Sequence, residues 1–253
     1  MKSSRSYPLI NTPFQAAIDM IPLVAGFLVS GPVSGYLSDR YGARLFSTMG
    51  MLINLIGFLI LASMPADFNY PLFAVTILFL GVGQGMFSAP NTAAVMNSVP
   101  PEYRGVSSGM RATLLNVSFM FSLAIFFSLL IIGVSSSLPA ELYNGLVSQG
   151  VSSATALQIS RLPPSSTLFA ALLGYNPMKT LLPPAVINSL PPKNANVILG
   201  TSFFPNIISS SFMSGMRIVM YSGAVMALFA AIFSALRGGR YVHNNGAVHK
   251  GKQ

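Results

Sequence analysis

Cysteine is absent from the 253 residues, acids number only five and histidines two. Without a thiol there is no disulfide framework, no thiolate metal site and no cysteine nucleophile. Charged residues make up 8% of the chain, against about 25% in an ordinary soluble domain. A soluble globule of this size could not cover itself with so few charges. Disorder is excluded by the opposite shortage, because a disordered chain combines low hydrophobicity with high charge. Here 52% of the residues are of the AVILMFWYC set, and the mean hydropathy is +0.63. Two histidines (His243 and His249, in a polar tail) and five scattered acids supply no Ser/His/Asp set, no carboxylate pair and no metal cluster. The chain is therefore not expected to be an enzyme or to hold a metal or other cofactor.

What the sequence does have is long apolar runs and basic charge. The net charge of +9 fits a multi-pass membrane protein, in which Lys and Arg collect on cytoplasmic loops. No basic stretch is interleaved with exposed aromatics, so nucleic acid is not the expected partner; the lipid bilayer is. A bilayer core needs about 20 predominantly apolar residues in a helix. Five stretches qualify, at about 14–37, 45–64, 71–96, 106–133 and 212–236. These predict an all-α integral membrane protein, with one membrane domain over 1–253, located in the cell membrane.

The joints carry the turn chemistry. Residues 38–44 form a short charged turn, 65–71 a short turn with proline at both ends, and 97–105 a joint stopped by Pro100-Pro101. Glu102 and Arg104 mark water at that last joint. Residues 134–211 read as a long extracytoplasmic loop, with short helices expected at Ser153–Leu162 and Ser166–Leu173, and 237–253 as a basic tail. If the spans alternate, Arg40, Arg44, Arg104, Arg111, Arg237, Arg240, Lys250 and Lys252 share one side, which is then cytoplasmic. Lys2 and Arg5 run against that arrangement, which points to further chain upstream.

The most informative segment is Gly35-Tyr36-Leu37-Ser38-Asp39-Arg40-Tyr41-Gly42-Ala43-Arg44. Gly35 lets another backbone approach, Gly42 is suited to a positive φ, and Asp39 can accept backbone N–H groups at a helix start. Arg40 and Arg44 hold the turn at the inner face. A second segment, Gly81-Val82-Gly83-Gln84-Gly85-Met86-Phe87-Ser88-Ala89-Pro90-Asn91, lies within the third span and precedes Pro100-Pro101-Glu102-Tyr103-Arg104-Gly105. Its glycines are no phosphate loop, because that needs a strand before and a helix after. Close helix packing or a flexible helix beside a substrate path fits them better.

Together these motifs resemble the C-terminal portion of a major facilitator superfamily transporter, most like the fourteen-helix drug:proton antiporter branch. The charged turn resembles the cytoplasmic loop between the second and third helices of each six-helix half. Ala43 departs from the family pattern, which has a basic residue there. The resemblance implies that the five spans are the last five helices of the second half, followed through a long loop into the last helix. It further implies a substrate site between two halves near the midplane, which this chain cannot build alone. A small-molecule substrate, protons and a partner chain supplying the missing helices are the expected partners.

Other polar residues fall within the spans. Asp19 is either a functional intramembrane acid or an outer interface residue paired with Arg217. Gln84 and Asn91, seven apart, share one helix face and either line a cavity or bond to a neighbouring helix. Two functions follow: part of a secondary transporter for multidrug or small-molecule efflux, or a non-transporting fragment that packs on a partner.

Overall fold

A computed structural model of the chain describes residues 13–66, 68–161, 176–200 and 203–237. Among these there is no strand, and the architecture is all-helical. The long elements are α2 (Ile21–Tyr41), preceded by the short α1 (Pro13–Asp19), then α3 (Ala43–Ser63), α4 (Tyr70–Asn97) and α5 (Arg104–Ser148). Short helices follow: α6 (Ser153–Ser160), α7 (Met178–Leu181), α8 (Pro184–Ser189) and α9 (Pro192–Leu199). The last is α10 (Phe203–Ala235). Among the described residues, five segments are long and apolar enough to cross a membrane: Phe14–Tyr41, Ala43–Ser63, Tyr70–Asn97, Pro101–Ser148 and Phe203–Ala235. Large apolar side chains such as Leu28, Val29, Phe119, Met120 and Phe121 lie exposed on them, as expected for surfaces solvated by lipid.

The described residues divide into two compact units, one made of those within 13–63, 69–123 and 220–237, the other of those within 64–68 and 124–219. In the first, α4 packs against both α2 and α3, and its glycines decide how closely. A methyl group at Gly81 would run into the Leu23 carbonyl oxygen of α2 and lie 2.9 Å from that carbonyl's carbon. At Gly85 it would lie 2.9 Å from the Phe27 carbonyl oxygen of α2. At Gly83, on another face of the helix, it would lie 2.6 Å from the Gly50 carbonyl oxygen and 2.7 Å from Asn54 Oδ1 of α3. The alternating glycines therefore let α4 wedge between two helices at backbone contact, as small residues do in membrane bundles. Ser34 of α2 donates across the same contact to the Gly85 carbonyl at 3.3 Å.

In the second unit, the distal part of α5 runs antiparallel to the first part of α10. Gly133 meets Gly215, Ser137 donates to Ser211 at 2.9 Å, and Ser210 donates to Glu141 at 3.2 Å. Leu130, Val134, Leu138, Leu142 and Leu146 recur every four residues and are all buried. This stripe faces Phe204, Ile208, Ile159, Met178 and Ile198 in one apolar core. Asn176 holds the covering segments together: its amide donates to the carbonyls of Ile198 and Gly200 at 2.8 and 2.7 Å, and its oxygen accepts from Met178 N at 3.0 Å.

The segment between the fourth and the last long helix is shorter than the 134–211 read from the sequence, and it carries the short helices α6–α9. The fourth long helix continues past Gly133 to Ser148, and the last begins at Phe203 rather than near Phe212. The serines that suggest a loop are compatible with helix, because Ser135 and Ser136 return their hydroxyls to the carbonyls of Ile132 and Gly133 at 2.9 and 2.7 Å. The true stop is Gly150, at φ +89°. Val151 N bonds to the Leu146 carbonyl and Gly150 N to that of Val147, at 3.2 and 2.9 Å. That pair of bonds is a Schellman motif. At about 1.5 Å per residue, the 45 residues of α5 extend about 68 Å, well beyond a hydrocarbon core of about 30 Å. One end of α5 therefore stands clear of the lipid. The short helix expected at Ser153–Leu162 appears as Ser153–Ser160, capped by Ser152, whose Oγ accepts from Thr155 N at 3.4 Å. The helix expected at Ser166–Leu173 lies outside the described residues.

Candidate functional site

The charged turn forms as two helices meet. Gly42 ends α2 with φ +88°, its N–H bonded to the Ser38 carbonyl at 2.9 Å, and α3 starts at the next residue. Gly35 lies against α4, where a methyl group would make ordinary contact with Ala89 at 3.6 Å. Arg40 is exposed, its guanidinium 5.5 Å from the centre of the Tyr36 ring; Arg44 is exposed as well. Asp39 stands in the last turn of α2 rather than at the start of α3, and among the described residues its carboxylate accepts no hydrogen bond. In this conformation it caps no helix. An acid in a last turn opposes the helix dipole, so Asp39 does not serve the stability of its own helix.

A cavity of about 550 Å³ opens beside this turn, lined by Ser38, Asp39, Arg44, Pro90, Asn97 and Arg237 among others. Arg237 follows the end of α10. The end of that helix is tied to α3, where Thr48 donates to Ser234 at 3.1 Å. Arg237 Nη2 donates to Asn91 Oδ1 of α4. Its Nη1 is buried and has no partner among the described residues. An unpaired carboxylate and a guanidinium nitrogen without an acceptor thus belong to residues lining one cavity.

A second cavity, of about 400 Å³, lies between α4 and the first turns of α5. Gln84, Phe87, Ser88, Asn91, Arg111 and Leu114 contribute to its wall. Gln84 and Asn91, spaced by two turns on α4, therefore line one space. Arg111 Nη2 donates to Thr92 Oγ1 at 2.6 Å, and the Thr92 hydroxyl donates in turn to the Ser88 carbonyl at 2.7 Å. Asn91 connects the two cavities, since it lines this one and accepts from Arg237 of the other.

The remaining residues singled out from the sequence stand apart from these cavities. Glu102 sits exposed in a single 3₁₀ turn (Pro101–Tyr103), and Arg104, also exposed, opens α5. Asp19 is the half-buried last residue of α1 in the first unit, and Arg217 is exposed on α10 in the second. Sequence reasoning missed Arg111 and Thr92 as site residues. The available sign was an arginine inside an apolar span, seven residues and about 10 Å along the helix from Arg104. Among the described residues no group of His, Cys, Asp and Glu is placed to hold a metal ion.

Part of the chain is similar to known proteins. Residues 4–123 match the family described as Major Facilitator Superfamily, a stretch that includes the charged turn, the glycine-rich α4 and Arg111. A riboflavin transporter, RibZ, of Clostridioides difficile is 32% identical over 122 residues, covering 44% of this chain and 26% of that protein. A tetracenomycin C resistance and export protein of Streptomyces glaucescens is 24% identical over 221 residues, or 87% of this chain and 37% of that one. The methyl viologen resistance protein SmvA of Salmonella typhimurium is 30% identical over 160 residues, or 61% and 32%. The chain thus spans about a quarter to two fifths of the length of these three relatives. No solved structure matches it.

Proposed function

We propose that this chain is part of a major facilitator superfamily secondary transporter that exports small amphipathic compounds across the cell membrane in exchange for protons. Its five spans correspond to the last five helices of such a transporter, in the fourteen-helix drug:proton antiporter branch. The observation that carries this reading is the coincidence of the family match over 4–123 with the charged turn and its cavity. Relatives named for export and resistance supply the direction. In this reading the turn at Asp39 and the tail are cytoplasmic, and the covering helices α6–α9 are extracytoplasmic. Asp39, Arg40 and Arg44 act as a gate, and the pairing of Asp39 with the free Nη1 of Arg237 is the closed form of that gate. Alternating access needs two bundles moving around a midplane site, and five helices are fewer than one bundle. The first turns of α5, from Val106 to Phe121, are exposed nearly all round, which leaves faces for helices supplied by further chain or by a partner.

The test is export of a fluorescent amphipathic dye by cells producing this chain, a second chain carrying the preceding spans, or both. Proton-dependent export is expected with both together and not with either alone. Equal export by the 253-residue chain alone, purified and reconstituted in liposomes, would refute the need for further helices. Absence of export with both present would count against transport itself.

A further inference from the structure

We infer that the cavity between α4 and α5 is an oxyanion site built around Arg111, selecting amphipathic compounds that carry a carboxylate or phosphate over lipophilic cations. This deepens the transport reading above by naming a substrate class, and it rests on that reading for its physiological meaning. A guanidinium within a membrane helix is costly and is normally paired. Arg111 is half-buried, and the one hydrogen bond it makes among the described residues is to the neutral Thr92. A guanidinium offers five N–H donors in a planar fork and accepts nothing, so most of its capacity is unspent. Among the described residues no acid lines the cavity, so nothing there would compensate a cationic ligand, and the charge of Arg111 would repel one.

The rest of the wall suits such a ligand. Gln84, Ser88 and Asn91 place neutral polar groups along one side, while Phe87, Met110 and Leu114 give an apolar surface. The volume of about 400 Å³ falls within the roughly 300–1,000 Å³ of small-molecule sites. Thr92 holds Arg111 from one edge. Bidentate pairing with a carboxylate or phosphate is what an arginine fork does and a lysine does not. The same oxyanion could arrive on a soluble amphiphile or on the headgroup of an anionic lipid.

The test uses the full 253-residue chain in nanodiscs of zwitterionic lipid and two fluorescent probes with one apolar body, pyrenebutyrate and its trimethylammonium counterpart. Wild type is expected to bind the carboxylate at least about tenfold more tightly than the cation. Arg111→Gln should remove that preference, Arg111→Lys should keep part of it, and Arg217→Gln, on another apolar helix, should change nothing. Retention of cation binding in Arg111→Gln separates a lost contact from a misfolded chain. Repeating the titration in nanodiscs containing phosphatidylglycerol assigns the source: weakened pyrenebutyrate binding means that the lipid headgroup occupies the site, unchanged binding means that a solute does. The inference is overturned if the cation binds as tightly as the carboxylate, if Arg111→Gln leaves the preference intact, or if neither probe binds. Each of those results would leave dye export by the paired chains untouched. Loss of export with the preference intact would instead strike the transport reading alone.

Discussion

Gly81→Val is expected to destabilise the α2–α4 contact by about 3 kcal/mol, near the upper end of the range for overpacking a core. The added side chain would meet the Leu23 carbonyl of the neighbouring backbone, and no rotamer change can move that atom. Gly83→Val should act similarly through the Gly50 carbonyl and Asn54. Gly31→Ala supplies the contrast. It lies in α2, yet a methyl group there meets nothing within 4 Å, and alanine favours a helix over glycine by up to about 1 kcal/mol. Thermal unfolding of the chain in detergent, followed by helical circular dichroism, separates the two cases. The midpoint should fall by roughly 6–12 °C in Gly81→Val, at about 2–4 °C per kcal/mol, and should hold or rise in Gly31→Ala. Equal midpoints for the two variants would mean that the glycines do not set the helix spacing.

Asp39→Asn should abolish most proton-driven export by the paired chains while leaving the thermal midpoint unchanged or slightly raised. The two signs come from one placement. An acid in the last turn of α2 opposes that helix's dipole, so neutralising it costs the fold nothing. A gate, however, needs its charge to meet Arg237, whose Nη1 is buried without an acceptor among the described residues. A conformational equilibrium shifts only by the difference in interaction between its two states, and removing one partner removes that difference. Arg237→Gln should therefore lower export as Asp39→Asn does, and the double variant should be no worse than either single one. Arg40→Ala should reduce export in the same direction. Additive losses in the double variant would show that Asp39 and Arg237 act separately.

The first three spans were legible because water marks their ends. Asp39, Arg40 and Arg44 bracket one joint and Pro100-Pro101 another, and the helices stop within a few residues of those marks. The glycine-rich run of α4 was legible as close packing, although which glycine meets which helix needs coordinates. The end of α5 was misread because serine composition outweighed periodicity. The four-residue recurrence of apolar residues from Leu130 to Leu146 and the glycine at 150 were both in the sequence, and together they mark a helix and its stop. The site was legible only where it is local. Gln84 and Asn91 lie on one helix and share a cavity wall. The bond from Arg237 to Asn91 joins residues 146 apart, and no spacing rule reaches that far.

In the proposed reading, five crossings put the α2–α3 turn and the α4–α5 joint on the cytoplasmic side of the membrane, with α6–α9 on the other. The absence of cysteine makes labelling with a membrane-impermeant thiol reagent in intact cells the most direct test. Single cysteines replace Ser98, exposed at the end of α4, and Leu157, exposed on α6. The expected result is labelling at Leu157→Cys in intact cells, and at Ser98→Cys only after the cells are opened. Labelling of Ser98→Cys in intact cells, with Leu157→Cys protected, would contradict the arrangement and the gating role assigned to Asp39 with it.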